Sequence, residues 1–279
     1  MIDKDLQVRI WGARGSLPVS GADFRIFGGN TICIEVRCGS RSLIFDAGSG
    51  LKEAGQALWA EGRRNLDLFF THSHYDHLIG LPFFTPLFRT DARVDLWSGD
   101  HGGQAVVAST ADMLQGFMRR PYFPVGPEVF SARITTHDFH TGDRLAPHPG
   151  IEVQTAPLNH PGGATGYRIE FRGKSVAMVF DTGHVPGTLD QTVIDLIRDV
   201  DLFLYDATFS DEEFPERLDY GHSTWQQAVR LAQASGARSV GFLHHATYRT
   251  DDDLLAIEAQ AQQLFPGAFC ARDLQEITL

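Results

Sequence analysis

The chain is expected to fold as an α/β protein, a four-layer αββα sandwich of two mixed β-sheets flanked by helices. Three observations point there. Short apolar segments of strand composition recur through both halves of the chain. Amphipathic segments with helix start and stop signals separate some of them. Several apolar segments end on a histidine or an aspartate, where a rigid strand end fixes a side chain well. A length of 279 residues suits one large domain or two halves sharing a core, and a single domain over residues 1–279 is the expectation. Hydrophobic residues, at 43%, suffice to fill that core.

The first half opens on the strand "LQVRIW" (6–11), followed by the Gly-rich "GARGSLPVSGADFRIFGGN" (12–30), a long loop. "TICIEVRC" (31–38) and "SLIFDAG" (42–48) are strands with Gly39 in the turn between them. "LKEAGQALWAEG" (51–62) is a helix stopped by Gly62, "LDLFFTH" (66–72) a buried strand and "RVDLWS" (93–98) another. A helix is expected from Gly103 to Met118. The second half offers strands at "FSARITT" (130–136), "GIEVQTAPL" (150–158), "GYRIEF" (166–171) and "SVAMVFDT" (175–182), then a helix at 188–199 and the strand "DLFLYDA" (201–207). Ser223 with Gln226 forms a capping box for the next helix, which buries Trp225, Val229 and Ala232 and stops at Gly236. The strand "SVGFLHH" (239–245) follows. The last helix starts on Thr250, carries Asp251, Asp252 and Asp253 in its first turn for dipole complementation, and buries Leu254, Ile257, Ala261 and Leu264.

The formal net charge of −11 argues against a broad grip on nucleic acid, because phosphate binding leans on Lys and Arg. A small anionic substrate at a locally positive site stays allowed. The cysteines, Cys33, Cys38 and Cys270, are odd in number and lack CxxC spacing, which favours a reducing compartment. "MIDKDLQVRIWG" has no signal-peptide pattern, and no apolar run approaches the ~20 residues of a membrane span. A cytoplasmic protein is the expectation.

The densest chemistry is "FFTHSHYDHLIG" (69–80), which crowds His72, His74, Asp76 and His77 behind a buried strand. His72 and His74, two apart at a strand end, point to one side. Asp76 and His77 follow on the turn, so the four face two neighbouring metal ions; imidazole and carboxylate suit zinc, manganese or iron. A two-metal site needs further ligands. His160 ends "QTAPLNH", Asp181 ends "AMVFD" where a carboxylate bridges both ions, and His244 and His245 end "VGFLHH".

"HSHYDH" resembles the HxHxDH motif of the metallo-β-lactamase superfamily, and the resemblance extends over nearly the whole chain. It implies the αββα fold with metals between the two sheet edges. It also implies that His72, His74 and His160 hold one metal, that Asp76, His77 and His245 hold the other, and that Asp181 bridges them. His245 is chosen over His244 because in "FLHHATYR" it resembles the ligand position of the ribonuclease Z-like pattern. Asp46 resembles the upstream aspartate that orients the motif loop. Histidine at position 74, where the flavo-di-iron branch has Glu, favours hydrolysis. "YDATFSDEEF" and "YGHSTWQQAVRLA" resemble the ribonuclease Z and phosphodiesterase branch, which implies catalytic roles for Asp206 and His222; Asp206 stands where ribonuclease Z typically has Glu.

His222 also has a physical case of its own. It precedes a helix N-terminus, where free N–H groups favour anions, so it is either a phosphate contact and proton donor or a loop histidine packed beside the cap. His184 either lines the pocket or faces solvent; His101, His137, His140 and His148 are read as surface residues. Arg14 in "GARGS" either reaches an anion or belongs to a tight loop flanking the metals. "MRRPYFPV" (118–125), with Arg119, Arg120, Tyr122 and Phe123, either stacks bases or forms a packed insertion or dimer contact. The expected function is a phosphodiesterase with two divalent ions, zinc first, that acts through a metal-bridging hydroxide on a small phosphodiester or cyclic nucleotide. Asp76 steers that hydroxide. Ester, thioester or lactone hydrolysis by the same fold and a non-catalytic nucleic-acid-binding or regulatory role are the alternatives. As partners, a small anionic substrate, no membrane and no extended nucleic-acid surface are expected, with a homodimer left open.

Overall fold

A computed structural model describes residues 6–100 and 109–279. One sheet contains β1 (Leu6–Gly12), β2 (Cys33–Cys38), β3 (Arg41–Phe45), β4 (Asn65–Phe70), β5 (Arg93–Gly99) and β6 (Arg133–Phe139) in sequence order, with β14 (Glu276–Thr278) on the outer edge of β1. The other runs β7 (Arg144–His148), β8 (Ile151–Leu158), β9 (Ala164–Phe171), β10 (Lys174–Val179), β11 (Leu202–Asp206), β12 (Val240–Leu243) and β13 (Ala268–Cys270), again in spatial order. Each sheet is mixed: β3 to β6 and β10 to β13 are parallel, and the rest antiparallel.

Three apolar layers hold these sheets. Val8, Val36, Phe45 and Phe69 of the first sheet meet Val153, Tyr167, Met178 and Leu204 of the second in the middle layer. The strand period of two sends their neighbours outward. Leu66, Leu68 and Phe70 of β4 pack on α1 (Leu51–Ala60) and α2 (Thr110–Phe117). Phe203 and Tyr205 of β11 pack in the layer that holds α3 (Gln191–Leu196), α4 (Trp225–Ser235) and α5 (Asp251–Leu264). The result is the four-layer αββα sandwich. Full burial of each such side chain stabilises by roughly 1.5–3 kcal/mol, so the layers fix the sheets against each other.

Several local expectations need correction. The helix expected at 103–118 starts at Thr110 with Ser109 as N-cap; residues 103–108, like His101, lie outside the described residues. The N-cap of α4 is Thr224, whose hydroxyl accepts from Gln227 N–H, and not Ser223. In α5, Leu254 and Ala261 are buried, but Leu264 is 56% exposed at the helix end. Asp251 does more than complement a dipole: its carboxylate accepts the N–H groups of Ile26 and Phe27 and ties down the long N-terminal loop. Strands β7, β13 and β14 carry no clear sequence signal, being edge pieces of three to five residues. Among the described residues no helix is long and apolar enough to cross a membrane.

Candidate metal centre

The parallel strands of both sheets open toward one edge, and their C-terminal ends carry the chemistry, the usual place for a site in an α/β sheet. Asp46 follows β3, Thr71 and His72 follow β4, Asp181 lies two residues past β10, Asp206 ends β11 and His244 follows β12. Asp46, Asp181 and His244 all have left-handed backbone, with φ of 59°, 49° and 59°. This turn swings each side chain off its strand and into the space between the sheets. β4 ends at Phe70, so loop geometry brings His72 and His74 together, their ring centroids 4.4 Å apart, and not strand alternation.

Two ligand groups meet there. His72, His74, His160 and Asp181 form one, and Asp76, His77 and His244 the other. Asp181 stands between them: its Oδ2 lies 3.6 Å from His72 Nε2, 3.7 Å from His160 Nε2 and 3.4 Å from His244 Nε2, and its Oδ1 lies 3.2 Å from His77 Nε2. Asp76 Oδ2 is 3.4 Å from both His77 and His244 Nε2.

The ring nitrogens on the far side are already engaged. His77 Nδ1 faces Asp46 Oδ2 at 2.7 Å, while Asp46 also accepts from the N–H and hydroxyl of Thr71. The Thr71 hydroxyl, donating to Asp46, is left to accept from His72 Nδ1–H at 3.0 Å. His160 Nδ1–H donates to Gly221 O at 2.8 Å, and His244 Nδ1 faces Thr208 Oγ1 at 2.8 Å. Such partners fix a tautomer with a bare Nε2, the form a metal takes.

These residues fit divalent cations on two counts. His72 Nε2, His77 Nε2, His244 Nε2 and Asp181 Oδ1 are buried without a hydrogen-bond partner, and all aim into the cluster. Buried polar atoms do not stay unpaired without a reason. The cluster also demands positive charge. Burial lowers His77, but Asp181, Asp46 and Asp76 outweigh it and raise the imidazole well above its ordinary value. His244, against the same burial, is raised to about 9, chiefly by Asp181. A cation there answers the charge that protons otherwise supply.

The pairing of His245 with the second metal is corrected. His245 points the other way: its Nε2–H donates to Ala271 O at 2.8 Å, its ring lies edge-on to Phe27, and burial pushes its pKa down to about 3. The left-handed turn at position 244 is the reason, since it puts His244 into the cluster and returns the next residue to the core.

Asp206 and His222 sit at the rim. His222 Nδ1 lies 2.8 Å from Asp206 Oδ2, and Asp206 further accepts from Thr182 N–H, Thr208 N–H and the Thr208 hydroxyl. The His222 ring stacks on His244 with centroids 4.4 Å apart. Burial raises the Asp206 carboxyl, but His222 outweighs it and holds it below the ordinary range. His222 and Asp206 also lie close enough to Asp181 and His244 to form a third potential ligand group, but their own hydrogen bond pairs them with each other.

Arg14 does not reach toward the cluster: its guanidinium donates to Gly28 O and Arg249 O, and its loop flanks the ligand groups through Ser16 N–H, which donates to Asp76 Oδ2 at 2.8 Å. His184 is buried, with Nδ1 2.7 Å from Ser223 Oγ. His140 is exposed, but His137 stacks on Trp97 and His148 pairs with buried Asp67 at 2.6 Å, so neither is a plain surface residue. Sequence reasoning missed Thr71 and Thr208, whose hydroxyls orient ligands, and two glycines. A Cβ on Gly15 would lie 2.2 Å from the His244 ring, and one on Gly221, at φ +76°, 2.6 Å from His160 Nδ1. The Gly-rich composition of 12–15 was the available signal for the first.

A family model described as the beta-lactamase superfamily domain matches residues 41–245, which includes both ligand groups and the supporting Asp46. The chain is 26% identical to a ribonuclease Z of Gemmatimonas aurantiaca, over 85% of this chain and 87% of that protein. In fold it resembles the metallo-beta-lactamase fold protein YhfI from Bacillus subtilis, with a TM-score of 0.73 and 16% identity over 99% of this chain and 100% of that one. It likewise resembles the short form of human tRNase Z, with a TM-score of 0.68 and 18% identity over 97% and 98%. These relatives overturn the expected partners: a small anionic substrate and no extended nucleic-acid surface do not stand beside relatives named as ribonucleases. With the matched model covering most of its length, the chain belongs to the beta-lactamase superfamily and is a metal-dependent hydrolase.

Proposed function

We propose that this protein hydrolyses phosphodiester bonds of RNA with two divalent metal ions, zinc first among them. The observation that carries the reading is the Asp206–His222 pair beside the ligand groups. Hydrolysis of esters, thioesters or lactones gives that pair no evident task, and a non-catalytic role leaves the unpaired cluster atoms unexplained. Ribonuclease relatives support RNA as the source of the diester.

His72, His74 and His160 would hold one ion and Asp76, His77 and His244 the other, with Asp181 shared. When bound, the ions polarise phosphoryl oxygen and lower the pKa of a water. The remaining work falls to side chains. Asp206 accepts the hydrogen bond of His222 Nδ1–H and orients the ring, which leaves Nε2 to deliver a proton to the departing alkoxide. Asp76, held by Ser16 N–H, orients the attacking water in addition to its ligand role.

His222→Ala is expected to keep the fold and both metals. Loss of a general acid costs ~10²–10⁴-fold in kcat. The loss should be largest for RNA, whose alkoxide needs protonation, and smaller for a nitrophenyl diester. Equal losses on both substrates would make His222 a phosphate contact, and lost metal would make it a ligand. Wild-type turnover of thioesters or lactones without turnover of either diester would overturn the phosphodiesterase reading itself.

A further inference from the structure

The surface that continues from the ligand-bearing loop combines exposed aromatic rings with basic side chains. Tyr75 follows the ligand His74 directly, is 64% exposed and has its ring 5.5 Å from that of Phe117. Phe83, 54% exposed, meets Phe123 edge-on at 6.2 Å. Between α1 and the segment after α2, Phe83 and Phe123 open into a groove of about 560 Å³, lined also by Lys52, Phe88 and Arg89. Arg119, Arg120 and Tyr122, the last 81% exposed, stand on the neighbouring surface.

We propose that this track binds the single-stranded RNA that flanks the scissile phosphate, a proposal that rests on the phosphodiesterase reading above. The charge distribution carries it. The chain has 35 acidic against 24 basic residues, yet among the described residues none of the groove's lining is acidic. Lysine occurs at only three positions in the sequence, and one of them, Lys52, is in the groove. Exposed rings alone fit any apolar partner. Rings interleaved with cations and free of carboxylates fit a partner with flat faces joined by phosphates, since bases stack on aromatic side chains while the backbone follows the positive charge. A further exposed ring, Tyr75, directly follows the ligand His74 on the loop that goes on to Phe83, so one short loop carries both a ligand and a groove residue.

The test is fluorescence anisotropy of a labelled 12-nucleotide single-stranded RNA with metal-loaded protein at 4 °C, with the oligomer's integrity checked on a gel. Phe83→Ala/Tyr122→Ala is expected to raise Kd at least ten-fold. Arg119→Glu/Arg120→Glu should raise it similarly and flatten its dependence on salt, because phosphate contacts release counterions. Both pairs lie on exposed surface, and circular dichroism confirms folding. Wild-type affinity in both variants overturns the proposal, as does wild-type protein that does not bind the RNA. Unchanged affinity with an altered oligomeric state by light scattering also overturns it and makes the face a protein contact. Wild-type hydrolysis of a nitrophenyl diester is measured in parallel: its absence would defeat the reading on which the proposal rests, whereas its presence with track-independent RNA affinity would defeat the track alone.

Discussion

Gly15 lies so close to His244 that one added methyl group would occupy the place of the ring. Gly15→Ala is therefore expected to push His244 out of the second ligand group and lower metal content toward one equivalent per chain, which elemental analysis reads. Normal metal content would show that the loop yields instead. The adjacent histidines separate as cleanly. His244→Ala should lose metal and turnover, because its Nε2 faces both Asp76 and Asp181. His245→Ala should keep both metals and lose stability by ~1–3 kcal/mol, since it strands the Ala271 carbonyl in the core. Equilibrium denaturation and metal analysis of the two variants decide between them; metal loss from His245→Ala alone would reverse the assignment. The sequence shows two equivalent histidines after an apolar strand, and only a backbone angle distinguishes them.

At the scale of elements, ligand positions were legible because apolar strands run straight into His or Asp, as in "LDLFFTH" and "SVAMVFD". The left-handed residues that aim those ligands were not. A residue with positive φ costs of order 1–3 kcal/mol, and Asp or His tolerates it without a sequence signature. The start of α4 shows a second limit. Ser223 and Thr224 each precede a glutamine by three residues, so both satisfy the same pattern. Burial settles the choice: the Ser223 hydroxyl is engaged by His184 and Tyr205, which leaves Thr224 to cap. The cap of α5 was unambiguous, and there Thr250 and Asp253 form a reciprocal pair. Thr250→Ala should destabilise the protein by about 1 kcal/mol without changing metal content. A shift in the urea midpoint measures it, and an unchanged midpoint would mean that tertiary contacts alone hold the helix.

For the whole molecule, the two-sheet architecture was legible from the many short strands, and the motif residues located its working edge. The substrate was not. Net charge sums the entire surface, whereas a phosphate chain needs only a local lane of cations, so −11 carried less information about nucleic acid than it was given. What unifies the account is the meeting of two sheet edges around Asp181, where three buried ring nitrogens and one carboxylate oxygen, from three separated segments, stand without partners. The central claim is that these atoms hold two metal ions. Protein purified without chelator should contain close to two transition-metal equivalents per chain by elemental analysis. Dialysis against a chelator should remove them together with diester hydrolysis, and Zn²⁺ or Mn²⁺ should restore the activity. A reproducible content near zero, with no activity restored by either ion, would contradict the account.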